Sequence, residues 1–131
     1  MSEVLSAMMP SLRTVAMPAD ANPSGDIFGG WLMAQMDLAG GIYASNLALG
    51  RVATVAVDAM TFHKPVFVGD QVSCYCSTKN IGTTSISVLV ETKVLRRDSG
   101  GLELTVTEGV FTFVAINADG KPRPILDQPT P

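Results

Sequence analysis

Gly29-Gly30-Trp31-Leu32-Met33-Ala34-Gln35-Met36-Asp37-Leu38-Ala39-Gly40-Gly41-Ile42-Tyr43-Ala44-Ser45-Asn46-Leu47-Ala48-Leu49-Gly50 is the stretch whose reading decides the fold. From Gly29 or Gly30 to Leu49 apolar residues fill nearly every face of a helix of about five turns, and Gly50 followed by Arg51 suits its C-terminus. A helix that is apolar all round must be wrapped by other structure, so it is expected at the centre of the fold. The same stretch is long enough to span a bilayer. Asp37, Gln35, Asn46 and several glycines within it favour instead a buried helix in a soluble protein.

Outward from the helix, four runs rich in Val, Ile, Thr or Phe read as strands: Val52 to Phe62, Gln71 to Lys79, Thr84 to Leu95 and Leu102 to Ile116. Pro65 with Gly69-Asp70, Asn80 with Gly82, and Asp98-Ser99-Gly100-Gly101 separate them and carry the chemistry of hairpins and short loops. The sheet is therefore expected to be mostly antiparallel. Upstream, Met17 to Asp26 combines Pro, Gly, Asn and Asp as an ordered loop does, and residues 1 to 16 allow a short first strand. The run from Gly120 to Pro131 is proline-rich and reads as a tail outside the core. The expectation is one domain over residues 1–131, of α+β class, in which a curved sheet wraps a long central helix.

With 131 residues the chain suits one domain, short enough that obligate oligomers are common. Nine basic against twelve acidic residues give a formal charge of −3, which argues against nucleic-acid binding through a basic field but leaves small anionic ligands open. Cys74 and Cys76, two apart on one strand, share a face and are poorly placed to bridge; they read as reduced thiols. No Cys and His pairs supply a metal site, so no metal is expected. The N-terminus lacks the pattern of a secretory signal, and the expected location is cytoplasmic.

Asp37 is the only carboxylate or cationic side chain between residues 29 and 50. A buried carboxylate needs donors or a charge partner, and such groups concentrate where chemistry is done; the alternative is an Asp satisfied by a neighbouring loop or helix. Seven positions separate Gly30 from Asp37, nearly two full turns, so both lie on nearly one face. Gly30 near the helix start offers an unobstructed N–H and the positive end of the helix dipole to a developing oxyanion, with Asp37 facing the same groove. Asn22 in the preceding loop is either a turn former or part of that groove. Asp26 stands where an N-cap or first-turn carboxylate is expected.

Asn22-Pro23-Ser24-Gly25-Asp26-Ile27-Phe28-Gly29-Gly30-Trp31-Leu32-Met33 and its continuation to Asp37 resemble the motif of YciA-type acyl-CoA thioesterases. Val55 to Asp58, Met60-Thr61-Phe62-His63-Lys64-Pro65-Val66, Val68-Gly69-Asp70 and Val110 to Ala115 extend the resemblance over about residues 14 to 125. The resemblance implies a hotdog fold and dimers joined edge to edge, commonly assembled as a hexamer, a trimer of dimers. It also implies active sites at dimer interfaces, each drawing on both subunits. It implies acyl-CoA as substrate, no cofactor beyond the CoA of substrate and product, Asp37 as catalytic acid, Asn22 as the loop asparagine and Gly30 as the amide that polarises the thioester. It further implies CoA contacts at the turn Gly82-Thr83-Thr84-Ser85, with Gly82, Thr84 and Ser85, and at nearby basic residues, Lys64 and Arg96 being the candidates.

On this reading the chain hydrolyses acyl-CoA to CoA and a carboxylic acid, as in fatty acid metabolism, with Asp37 as general base or as nucleophile. Two rivals remain open. A non-catalytic acyl-CoA-binding or regulatory module would keep the fold and the CoA contacts without needing Asp37. A hotdog dehydratase would use a His with a carboxylate, and His63, the only histidine, is expected at a strand end away from the helix, as an interface or surface residue.

Overall fold

Period-two alternation governs the strands. Along Ser85–Leu95 every second residue, Ile86, Val88, Val90, Thr92 and Val94, is buried, while the intervening ones face outward. The computed structural model describes residues 9–125; the start of the first-strand reading before residue 9 and the tail from 126 lie outside the described residues. The elements are β1 (Leu12–Val15), α1 (Gly29–Ala48), β2 (Val52–Phe62), β3 (Gln71–Ile81), β4 (Ser85–Leu95) and β5 (Glu103–Ala115), with a 3-10 turn at Pro18–Asp20. The five strands form one antiparallel sheet in the order β1-β3-β4-β5-β2. The sheet does not close, and the eleven-residue β2 is one of its edges.

Helix α1 lies across one face of this sheet. Met36, Ala39, Tyr43, Ala44 and Ala48 pack on Cys74, Cys76, Val88, Val90, Phe111 and Phe113. The small residues let the helix approach closely. A Cβ on Gly40 would stand 2.9 Å from Cζ of Phe113, so only glycine fits there. The Tyr43 hydroxyl and Thr78 Oγ1, 2.7 Å apart, join helix to β3 with their polar atoms satisfied.

The sheet covers the helix as expected, and it does so on one side. Leu38 is 56% exposed and Ile42 46%, and Val55, Val57 and Phe62 of the edge strand β2 are exposed as well. A single five-stranded sheet covers one side of a helix, and the apolar residues on the other side require another layer. No helix among the described residues is long and apolar enough to cross a membrane.

Two expectations about chain ends also change. Leu49, not Gly50, takes the left-handed C-cap conformation, with φ 54°; Gly50 lies beside the Arg123 guanidinium, whose Nη2 would be 2.8 Å from a Cβ placed there. Residues 120–125 are not a tail outside the core. Arg123 donates from Nη2 to the Ala48 carbonyl at 2.7 Å and so caps α1, and Ile125 is 2% exposed in the main core. A sequence window around 120 shows only prolines, because its partners lie 75 positions away.

Both cysteines are buried and unbridged. Desolvation pushes Cys74 up to about 11, against a smaller opposing effect of its hydrogen bond to Thr92, and Cys76 up to about 12. Alkylation by iodoacetamide at pH 8 is therefore expected to be negligible in the native protein and complete in denaturant. The unfolded thiols ionise near pH 8.5 and the folded ones only near 11 to 12, so stability falls as pH rises through that window. Rapid native labelling, followed by mass spectrometry, would contradict this.

Candidate active site

Asp37 projects from the middle of α1 toward the start of the edge strand β2. Its Oδ1 accepts a 2.6 Å hydrogen bond from Thr54 Oγ1. The carboxylate is half-buried rather than buried, which corrects the sequence reading. It lines a cleft of about 400 Å³ between helix and edge strand, together with Gly41, Ile42, Arg51, Val52 and Phe113. Thr54 was not singled out from sequence because a threonine in a Val- and Ala-rich run reads as strand-forming alone. A signal was present in the short Leu49-Gly50-Arg51 connection, which folds β2 back along the helix and sets residue 54 opposite Asp37.

Asn22 lies in a second cleft, of about 460 Å³, with Asp26, Phe28, Gly29, Phe62, His63 and Lys64. Its Oδ1 accepts the backbone N–H groups of Ser24 at 2.9 Å and Asp26 at 3.2 Å, so it does form the turn. Its Nδ2 is a donor only. Asp26 is not the N-cap. Phe28 holds that position with no side-chain bond to the first turn, and Gly29 and Gly30 are the first helical residues. Their N–H groups have no intrahelical acceptor, and Gly30 is exposed. His63 is not away from the helix: it shares this cleft with Gly29, and its Nε2 lies 2.9 Å from Glu108 Oε1.

Gly30 and Asp37 do not face one groove within a single chain. Seven residues of helix separate them by roughly 10 Å along the axis, and Asp37 lines one cleft while Asn22 and the helix start line the other. The candidate CoA residues are likewise spread. Lys64 is exposed at the rim of the Asn22 cleft. Gly82, Thr84 and Ser85 form the β3–β4 turn, where Gly82 N–H donates to Ser85 O at 2.8 Å and the Thr84 carbonyl accepts from Ala115 N–H. Arg96 lies at the opposite end of β4, paired with the buried Asp70. Among the described residues no group of three or more His, Cys, Asp or Glu could hold a metal ion.

Residues 24–99 match the family model of the thioesterase superfamily. The acyl-CoA thioester hydrolase YciA of Salmonella typhimurium is 53% identical over 116 residues, 87% of each chain. The crystal structure of the hexameric thioesterase y2039 from Yersinia pestis superposes with a TM-score of 0.83 at 51% identity, covering 93% of this chain and 96% of that one. An acyl-CoA hydrolase from Staphylococcus aureus, solved with butyryl coenzyme A and coenzyme A, gives a TM-score of 0.80 at 29% identity over 86% of this chain and 68% of that one. Alanine variants of that hydrolase have been solved at one asparagine and at one aspartate, fifteen residues apart. Asn22 and Asp37 have the same separation.

Proposed function

This chain belongs to the thioesterase superfamily and has its hotdog fold, and on that premise we propose that it is a cytoplasmic acyl-CoA thioesterase whose active sites form between two copies of the chain. One observation carries the reading: the Asp37 carboxylate, held at one oxygen by Thr54, opens into a cleft between the helix and the edge strand β2. A second copy laid against the exposed side of the helix and against the free edge of β2 covers Leu38, Ile42, Val55 and Val57. A two-fold axis then brings the Asp37 cleft of one protomer to the helix start of its partner. The hexameric relatives support a trimer of such dimers.

In the reaction Asp37 takes a proton from water through the oxygen that Thr54 does not hold, and the hydroxide formed attacks the thioester carbonyl carbon. The Gly30 N–H at the positive end of the helix dipole, and Asn22 Nδ2, donate to the oxyanion. The tetrahedral intermediate collapses with cleavage of the C–S bond; the CoA thiolate leaves and takes the proton from Asp37, giving free CoA and the carboxylic acid. Thr54 acts as a positioning residue, fixing which carboxylate oxygen meets the water. No cofactor is required beyond the CoA carried by substrate and product. Lys64 and the Gly82–Ser85 turn, with Thr84, are the proposed CoA contacts, and Arg96 is not, because its guanidinium is engaged within the fold.

The test is release of free CoA thiol from a series of short- to long-chain acyl-CoAs. Turnover well above the spontaneous rate is the expected result. Tight CoA binding with no turnover across the series would replace the hydrolase by a binding module.

A further inference from the structure

Helix α1 contains two adjacent glycines with different surroundings. Gly40 is explained by Phe113, which leaves no room for a Cβ. Gly41 is not: a Cβ there would meet Phe113 Cε1 at an ordinary 3.7 Å, and its φ is not positive. A glycine in a helix interior costs stability relative to alanine, so its presence there calls for another use of the space.

Gly41 stands one turn after Asp37 on the same helical face, and Ser45 one turn further. Opposite them, Thr54 and Val52 project from the same side of β2. The cleft therefore starts at the Asp37–Thr54 pair, passes between Gly41 and Val52 over Phe113, and ends at Ser45 and Arg51. Eight residues of helix give it a length of about 12 Å. Its middle section is apolar.

We infer that this cleft takes the acyl chain of the substrate, with Gly41 the residue that sets how long or bulky a chain can pass. The inference rests on the thioesterase reading above. A thioester carbonyl placed at Asp37 sends its acyl group along the helix, and the bare backbone at Gly41 is what allows a chain to lie there. An acetyl group ends before it.

The experiment compares the wild-type full-length protein with Gly41→Ala and Gly41→Val, measuring kcat/KM for acetyl-CoA and decanoyl-CoA. Added methyl groups in an apolar pocket change discrimination by roughly 10-fold to 200-fold. The ratio of decanoyl to acetyl kcat/KM is expected to fall by that amount in Gly41→Val and by less in Gly41→Ala. Gly41→Ala is also expected to raise the melting temperature by roughly 2 to 6 °C with the oligomeric state unchanged. A ratio that stays constant, whether both activities fall together or neither falls, would overturn the inference and leave the thioesterase reading standing. Dissociation of the oligomer or a lowered melting temperature in Gly41→Ala would give the space to a neighbouring copy instead and equally overturn it. A wild type inactive on both substrates would remove the thioesterase reading itself.

Discussion

Asp37→Asn is expected to lower kcat for acyl-CoA hydrolysis by roughly 10²-fold to 10⁴-fold, the range for loss of a general base, with KM little changed. The substitution keeps the size and shape of the side chain and leaves an amide oxygen to accept the bond from Thr54 Oγ1, now 2.6 Å from the carboxylate. Nothing in the packing of α1 depends on the lost charge, because Asp37 is only half-buried and lies outside both apolar clusters. The effect should therefore appear in the saturated rate and not in stability. Free-CoA release at saturating substrate, with circular dichroism and size-exclusion chromatography on the same samples, separates the two. Unchanged turnover in the folded variant would remove Asp37 from its assigned role.

Arg96→Ala is expected to lower stability by about 3 kcal/mol, since removing one member of a buried ion pair strands the other charge. Asp70 is 4% exposed. Its Oδ2 accepts from Arg96 Nε at 3.2 Å and from the Phe67 N–H at 3.0 Å. Arg96 also donates from Nη2 to the Pro65 carbonyl at 2.8 Å and lies over the Phe67 ring, 4.7 Å from its centroid. Removing it leaves the carboxylate one N–H donor and unties the loop between β2 and β3. Urea denaturation measures the loss. KM for acyl-CoA in the folded variant is expected to stay near the wild-type value; a raised KM without loss of stability would instead return Arg96 to the phosphates of CoA.

The parts of the fold that were legible from sequence are those set by local pattern. The bounds of α1 fall within a residue of expectation, and β2 from Val52 to Phe62 matches it outright, because apolar composition and the Gly, Asp and Pro breaks act over a few residues. Features depending on distant partners were not legible. Arg96 reads as a free cation until Asp70 is seen 26 positions away, and Arg123 as part of a tail until the end of α1 is seen above it. Asp37 is a third case. Its isolation among apolar residues marked it as unusual, yet the same apolar residues implied burial, since composition does not say whether the covering layer belongs to this chain or to another copy. The placement of Asn22 and the helix start at Gly29 in a different cleft follows from that same ambiguity.

The proposed site takes Asp37 from one protomer and Asn22 with Gly30 from its partner. Co-expression of Asp37→Asn chains with Asn22→Ala chains, purified as mixed oligomers through different tags, tests it directly. Each variant alone is expected to be nearly inactive. In a mixed dimer one of the two symmetric sites recovers a wild-type Asp37 and Asn22 together while the other loses both, so random mixing should restore about a quarter of wild-type CoA release, and selected mixed dimers about half. Mixed oligomers no more active than the separate variants would contradict a site shared between protomers.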